Sequence, residues 1–410
     1  MLGQYNLQFG QGLTLWSGFA PWAGYEVSQE RFASGVRPSS AFTEYGYQQG
    51  AAATVTLTKW LKATLFGSYC PKDGTPSKAD SNAVQSLSSS GYHRYGTELE
   101  KRHALNEALL GANVQYNRKH LSLGITGYHV HYSKPILPAE TRYNTFYFRG
   151  TDNNLVGLDA HYHKGRVMLY GELSCSLNPY TDSLSGLPLA GLAGMEVYLN
   201  ESNLLSISYR YWGEAYQNLL NGPYRQVNSA PDERGLRMGY TTRLPMGVTL
   251  TATSDLYRNS LVRYGAYGPT WGTDSRVRLI FSTHYRLKVQ VQYRYKSSGA
   301  NASLNNLDSS LLQWGSLLYE QLYEVEQALR HQGQVRCDYT PWQWMKLSSR
   351  LVLTRAACDV HKPQNGLLLS QDIFLYPTKT LTLSARYAWF STGGYDAVLQ
   401  MVNAEALQVA

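Results

Sequence analysis

Between Lys288 and Lys296 the chain alternates with a period of two. Val289, Val291, Tyr293 and Tyr295 fall on one side; Lys288, Gln290, Gln292, Arg294 and Lys296 fall on the other. Successive side chains point to opposite faces only in an extended strand. A strand patterned this way needs an apolar medium on one face and water on the other. The split recurs at Val277, Leu279, Phe281 and Tyr285 against Arg276, Arg278, Ser282 and His284. It recurs again at Leu205, Ile207, Tyr209 and Tyr211 against Ser206, Ser208 and Arg210, and at Leu381, Leu383, Ala385, Tyr387 and Trp389 against Thr380, Thr382, Ser384 and Arg386. Several of these stretches reach about ten residues, enough to cross a bilayer at a barrel's tilt. Strands of soluble proteins average about five or six.

Short and long connections alternate. Tight turns are expected near Lys59-Trp60, Arg118-Lys119, Lys164-Gly165, Asn200-Asn203, Pro245-Met246, Arg286-Leu287, Pro341-Trp342 and Pro377-Lys379, and longer loops near 17–49, 71–107, 133–153, 214–233, 259–275 and 299–329. Outer-membrane barrels have this asymmetry, with short periplasmic turns and long outer loops. A soluble sandwich has no reason for it, and a propeller would repeat a blade motif that is not found here. The pattern places one strand at about 3–16, then hairpins at 50–70, 108–132, 154–177, 188–213, 234–258, 276–298, 330–355 and 365–391. The expected fold is all-β: a single large antiparallel up-and-down transmembrane β-barrel of about 16–18 strands over residues 1–410, with 391–410 a weakly structured tail that reads faintly as strand around Ala397–Val402. The first strand is expected to start on the periplasmic side.

Composition fits. Of 410 residues only 16% are charged, and 33 are Tyr, a side chain suited to the water–lipid boundary. A mean hydropathy of −0.35 is too polar for a helical membrane bundle but not for a barrel with a wet lumen. No stretch approaches a membrane helix. The start, Met1-Leu2-Gly3-Gln4-Tyr5, has no export-signal pattern, and the tail lacks a closing aromatic. Both features raise the expectation of a fragment lacking an export signal and at least one closing strand. The expected location is the outer membrane of a Gram-negative bacterium. The net charge of +8 is read as a solvated polar face with a mild basic excess, attraction of anions being the alternative.

Few residues point to chemistry. Cys70, Cys175, Cys337 and Cys358 have no metal or redox spacing and read as small fillers. His129, His131, His161 and His163 form two His-x-His pairs, each with both rings on one strand face, but nothing in the sequence supplies a third ligand. No metal or cofactor is therefore expected. Asp159 and Glu172 could face each other across the 154–177 hairpin, where they are expected to meet inward Arg residues such as Arg210 or Arg294. Asp159, Glu172, Arg210, Arg294, Arg350 and Arg386 are the expected lumen-facing polar residues. Gly10-Gln11-Gly12 lacks the context of a phosphate loop and marks a bend or close packing. Thr97–Leu110 has helical composition and could form a short helix in the barrel mouth. No Gly-x-Ser-x-Gly elbow is present, so the chain is expected not to be an enzyme.

Several segments carry a resemblance: Leu7-Gln8-Phe9-Gly10-Gln11-Gly12-Leu13 followed by Trp16; Gly91-Tyr92-His93-Arg94 with Glu98-Leu99-Glu100-Lys101; Phe146-Tyr147-Phe148-Arg149-Gly150; and Tyr209-Arg210-Tyr211 leading to Ala215-Tyr216-Gln217. Together they resemble the barrel region of Bacteroidetes-type helix-hairpin-helix domain outer-membrane proteins. The family's helix-hairpin-helix part is absent, and its Phe-Gly-Lys-Ser is replaced by Phe19-Ala20-Pro21-Trp22. The residues lead to the expectation of a non-enzymatic pore or plugged scaffold in outer-membrane lipid, with a periplasmic protein as possible partner. The resemblance adds a DNA-binding or DNA-uptake component whose DNA-contacting repeats are missing here. A lipid-acting barrel enzyme is the third alternative.

Overall fold

In a computed structural model the chain is described at every residue except 19, 21–23, 41–44, 79, 179–187, 223–224, 228–231, 284–285, 302–324, 358–362, 379, 395–396 and 398–410. The alternating segments are strands. After β1 (Leu2–Gln8) and β2 (Gly35–Pro38) come β3 (Gln48–Thr56) and β4 (Leu61–Lys72), then the short β5 (Gly74–Pro76) and β6 (Val84–Leu87). Long hairpins follow: β7 (Leu105–Arg118) with β8 (Leu121–Ile136), β9 (Gly150–Lys164) with β10 (Val167–Leu177), β11 (Leu189–Asn200) with β12 (Asn203–Trp212), and β13 (Glu233–Leu244) with β14 (Val248–Asn259). The series ends in β15 (Thr270–Thr283) with β16 (Leu287–Asn301), β17 (Val325–Trp342) with β18 (Met345–Ala357), and β19 (Gln364–Leu375) with β20 (Leu383–Thr392). All belong to one 20-stranded sheet, an up-and-down antiparallel meander from β3 to β20 in which β4 pairs β7 across the β5–β6 excursion. Every hairpin read from the alternation is present. Among the described residues β20 pairs only with β19, and β1 pairs with β2 and β3.

The two faces are the reverse of a soluble protein's. On β9, Leu158 is 53% exposed while its neighbour Asp159 is 7% exposed. Leu110, Val114, Ile125, Val156, Leu173, Ile207, Leu279 and Val291 are exposed like Leu158. The opposite face buries Asn113, Thr126, Glu172, Ser206, Arg210 and Thr253. An apolar band this wide facing outward needs lipid, not water, against it. The fold is a large transmembrane β-barrel. Among the described residues no helix is long and apolar enough to span a membrane.

The structure corrects two expectations. The first strand does not continue to residue 16. It stops at Gln8, and the chain folds inward with Gly10 and Gly12 in the left-handed region (φ +56° and +83°). Phe9 N–H then donates to Leu15 O at 3.2 Å, and Trp16 bridges back to Gln8. Leu13 and Leu15 keep the period of two but are buried within the lumen. The helix expected over 97–110 is limited to Gly96–Leu99, has no buried residue, and plugs nothing. Leu105–Leu110 opens β7 instead, because alternate residues Leu105, Glu107 and Leu109 face the interior, and tertiary context overrides helical composition. Of the weak strand near Ala397–Val402, all but Ala397 lies outside the described residues, as do most of the 299–329 loop and Cys358.

Candidate functional site

The described residues of the 9–32 stretch fold inward and fill one side of the lumen. Leu13 and Leu15 join Tyr5, Leu7, Phe66, Leu109, Tyr128, Leu155, Trp212 and Tyr216 in one buried cluster. The segment touches inner residues as far apart as Glu172 on β10, Glu196 on β11, Arg237 on β13 and Arg278 on β15. One short piece of chain reaches all of these strands only if the sheet curls tightly around it.

Glu172 is the main fastening. Its carboxylate accepts backbone N–H groups of Gln11 (2.6 Å), Leu13 (3.0 Å) and Thr14 (2.7 Å). Asp159 lies opposite it in the β9–β10 register, as expected, and both side chains are buried. Neither meets Arg210 or Arg294, because the inner segment stands between and presents its own amides. A Cβ added at Gly10 would come within 2.7 Å of Glu172 Oε2, so only glycine fits this approach. Gly157 plays the same part on the wall: a side chain there would strike the Thr14 hydroxyl. A second strap comes from the loop after β12. Tyr216 Oη donates to Leu13 O at 2.9 Å, Asn218 Nδ2 donates to Leu13 O and Thr14 O, and Trp16 N–H donates to Leu220 O at 2.8 Å. Burial raises the Tyr216 phenol above its ordinary value, with hydrogen bonds to Ser174 and Asn218 opposing.

Farther along the inner segment, Glu30 reaches β9. His161 Nδ1 donates to Glu30 Oε1 at 2.9 Å and His163 Nε2 donates to the same oxygen at 2.7 Å. Burial pushes the Glu30 carboxyl up, but the two imidazoles outweigh it and hold it below the ordinary range. Glu196 fixes this stretch by accepting the Gln29 and Glu30 backbone N–H groups at 2.8 and 3.2 Å. The other His-x-His pair lies elsewhere. His129 and His131 are exposed on the outer face beside Asp152, with His131 Nδ1 2.8 Å from Asp152 Oδ1. The two pairs occupy opposite faces of the sheet and cannot share a ligand. Glu30 was not legible as a partner, being 131 residues from His161.

The remaining expected lumen residues lie in a charged wall. Arg210 is buried between Glu233 (2.6 Å) and Asp255 (2.7 Å). Asp274 takes both Arg276 (2.8 Å) and Arg294 (2.7 Å), and Asp372 pairs with Arg386. Arg350 opposes Arg336 across β17 and β18 on the inner face. From β15 to β20 this face carries Arg276, Arg278, Lys288, Arg294, Lys296, Arg330, Arg336, Lys346, Arg350 and Arg386 against Asp274, Glu326, Asp338 and Asp372. Cations outnumber acids on this side. Cys70, Cys175 and Cys337 are free thiols and unpaired with one another.

An apolar exterior, a sheet of antiparallel hairpins and a lumen packed with the chain's own segments define a membrane β-barrel with an internal plug. The chain matches no known protein family and no curated protein. Among solved structures it is similar to OmpT, an outer membrane protein of Vibrio cholerae, at 10% identity over 70% of this chain and 79% of that one, with a TM-score of 0.35. It is similar to OpdL of Pseudomonas aeruginosa (13% identity, 81% of this chain, 87% of that one, TM-score 0.33) and to OccAB1 of Acinetobacter baumannii (9%, 82%, 90%, TM-score 0.34). The expectation that the chain is not an enzyme is withdrawn. It rested on one missing motif, and neither this barrel scaffold nor its likeness to OmpT separates catalytic from non-catalytic barrels.

Proposed function

We propose that the chain is an outer-membrane barrel that admits anionic solutes along its basic wall, with passage controlled by the internal plug. The observation that carries this reading is the division of the lumen: the described residues of 9–32, together with 213–222, pack one side, while β15–β20 present an arginine-rich inner face on the other. Arg336 pairs with Asp338 at 2.9 Å, but it also stands opposite Arg350 across the strands, and this excess of cations over carboxylates favours an added anion. The outward apolar band supports residence in outer-membrane lipid, the short-turn end facing the periplasm. Planar-bilayer recording under a salt gradient tests this. The expected reversal potential is anion-selective, shifting toward cations in an Arg336→Ala/Arg350→Ala variant. Cation selectivity in the parent, or silence in both the parent and a plug-loosened variant, refutes it.

A second reading is a component of DNA handling. The same basic wall favours it, since phosphates are recognised by arginine irrespective of sequence, and it agrees with the family resemblance. Current block by single-stranded DNA, weakening steeply with salt, would support it. The Glu30 end of the plug, which meets His161 and His163 beside the β9–β10 turn, also suits a periplasmic protein that releases it, and pull-down with periplasmic extract by the parent chain but not by a plug-deleted one is the corresponding test.

A further inference from the structure

We propose that Glu30, His161 and His163 form a divalent transition-metal site that staples the plug to the barrel wall. Glu30 comes from the plug; the two histidines come from one face of β9. The three ligand atoms lie within 4.8 Å of one another, close enough to share one ion at bonds of about 2.0–2.2 Å. Two imidazoles and a carboxylate are the donor set that zinc takes when a fourth position stays open to water or another ligand.

Three further observations point to a ligand. The Glu30 side chain is fully buried, and its Oε2 has no hydrogen-bond partner. A buried carboxylate oxygen left bare is unfavourable, and a cation bound at the carboxylate would relieve it. The histidines line a cavity of about 340 Å³ together with Phe32, Asn117, His120 and Asp159. It reaches the β7–β8 turn, so an ion has a path from the short-turn mouth. Finally, Asp159 Oδ2 lies 3.9 Å from His161 Nε2, the ring nitrogen not facing Glu30. At that separation the carboxylate acts on the ring by its charge, not through a hydrogen bond, and favours a proton on Nε2 once Nδ1 is given to a metal.

Binding exchanges protons in a defined way. Without metal, His161 carries its proton on Nδ1 for Glu30, and its Nε2 can accept from Gln11 Nε2 at 3.4 Å. With metal, Nδ1 offers its lone pair and the proton moves to Nε2, facing Asp159. His163 likewise coordinates through Nε2 and carries its proton on Nδ1. The charge on the ion is partly met by Glu30, and each imidazole stays neutral.

The test is titration of the full chain in detergent with Zn²⁺ against a chromophoric chelator, and with Co²⁺ read by its visible absorption. One ion per chain is expected at micromolar affinity or tighter. Glu30→Gln and His163→Gln should each weaken it by about 100-fold or more, in the range of lost ligands and their supports. His163 is partly exposed, so its replacement leaves folding intact, checked by heat-modifiable gel mobility. His129→Gln/His131→Gln should leave affinity unchanged. The proposal is overturned if the parent binds neither ion, if the Glu30 and His163 variants bind like the parent, or if binding is lost with His129 and His131.

Discussion

Replacing Glu172 by Gln isolates the plug's main fastening. The native carboxylate accepts three backbone N–H groups. Each such charge-assisted bond contributes about 1.5–3 kcal/mol. Glutamine keeps one acceptor oxygen. Its best orientation leaves that oxygen to Gln11 and Leu13 and turns its NH₂ toward the Thr14 N–H. One buried donor then loses its partner, at about 1–3 kcal/mol, and two bonds fall from charged to neutral, at about 1 kcal/mol each. Relief of the carboxylate's desolvation returns part of this, so a net loss of about 3 kcal/mol is expected, roughly two powers of ten in the docking equilibrium. Hydrogen exchange measured by mass spectrometry on peptides covering 9–17 should therefore accelerate by about 100-fold. Peptides from β15–β18, which do not touch the latch, should be unchanged. Single-channel recordings should show the same variant open more often. Unaltered exchange at 9–17 would refute the latch, and equal acceleration throughout the sheet would mean that Glu172 supports the barrel rather than the plug.

Gly157→Val places a side chain where the Thr14 hydroxyl sits and should reproduce the Glu172→Gln exchange pattern without touching any charge. Arg210→Met leaves Glu233 and Asp255 buried without their shared cation; about 3–5 kcal/mol of barrel stability should be lost, read by urea unfolding in detergent. Leu158→Arg puts a charge on the exposed apolar band, costing about 2–4 kcal/mol in a bilayer, whereas Gln334→Arg on the inner face should fold normally; equal penalties would place the faces wrongly. Tyr216 gives a pH signature. Its phenol is raised above 10.0 by burial, so its contribution is complete below that value and lost as pH rises through the folded-state value. Protection at 213–222, taken relative to the intrinsic base-catalysed exchange rate, should therefore fall in alkali, and Tyr216→Phe should abolish that loss of protection with pH while weakening the hold on Leu13.

The hairpins were legible because both halves of the signal come from the environment. Lipid selects one face and water the other, so Val289–Tyr295 and Leu205–Tyr211 carry the pattern undiluted. The plug was not legible, because the same alternation continues through Leu13 and Leu15 after the chain has left the sheet. Period two says that a segment is extended, not what it lies against. The glycines at 10 and 12 held the needed information, read correctly as a bend or close packing but not as the end of the strand. Asp159 and Glu172 were correctly placed opposite each other, since register within a hairpin is local. Their partners were not, because the Glu172 contacts join residues about 160 positions apart. The same separation hid Glu30 from His161 and His163.

The Glu172 latch grips main chain, not side chains. The Glu172 bonds themselves therefore do not depend on which side chains stand at 11, 13 and 14, although Leu13 is held separately by its packing in the buried cluster. Proline is the exception, having no amide hydrogen to give. A proline scan across this stretch would trace the latch donor by donor, leaving the carboxylate and the wall untouched.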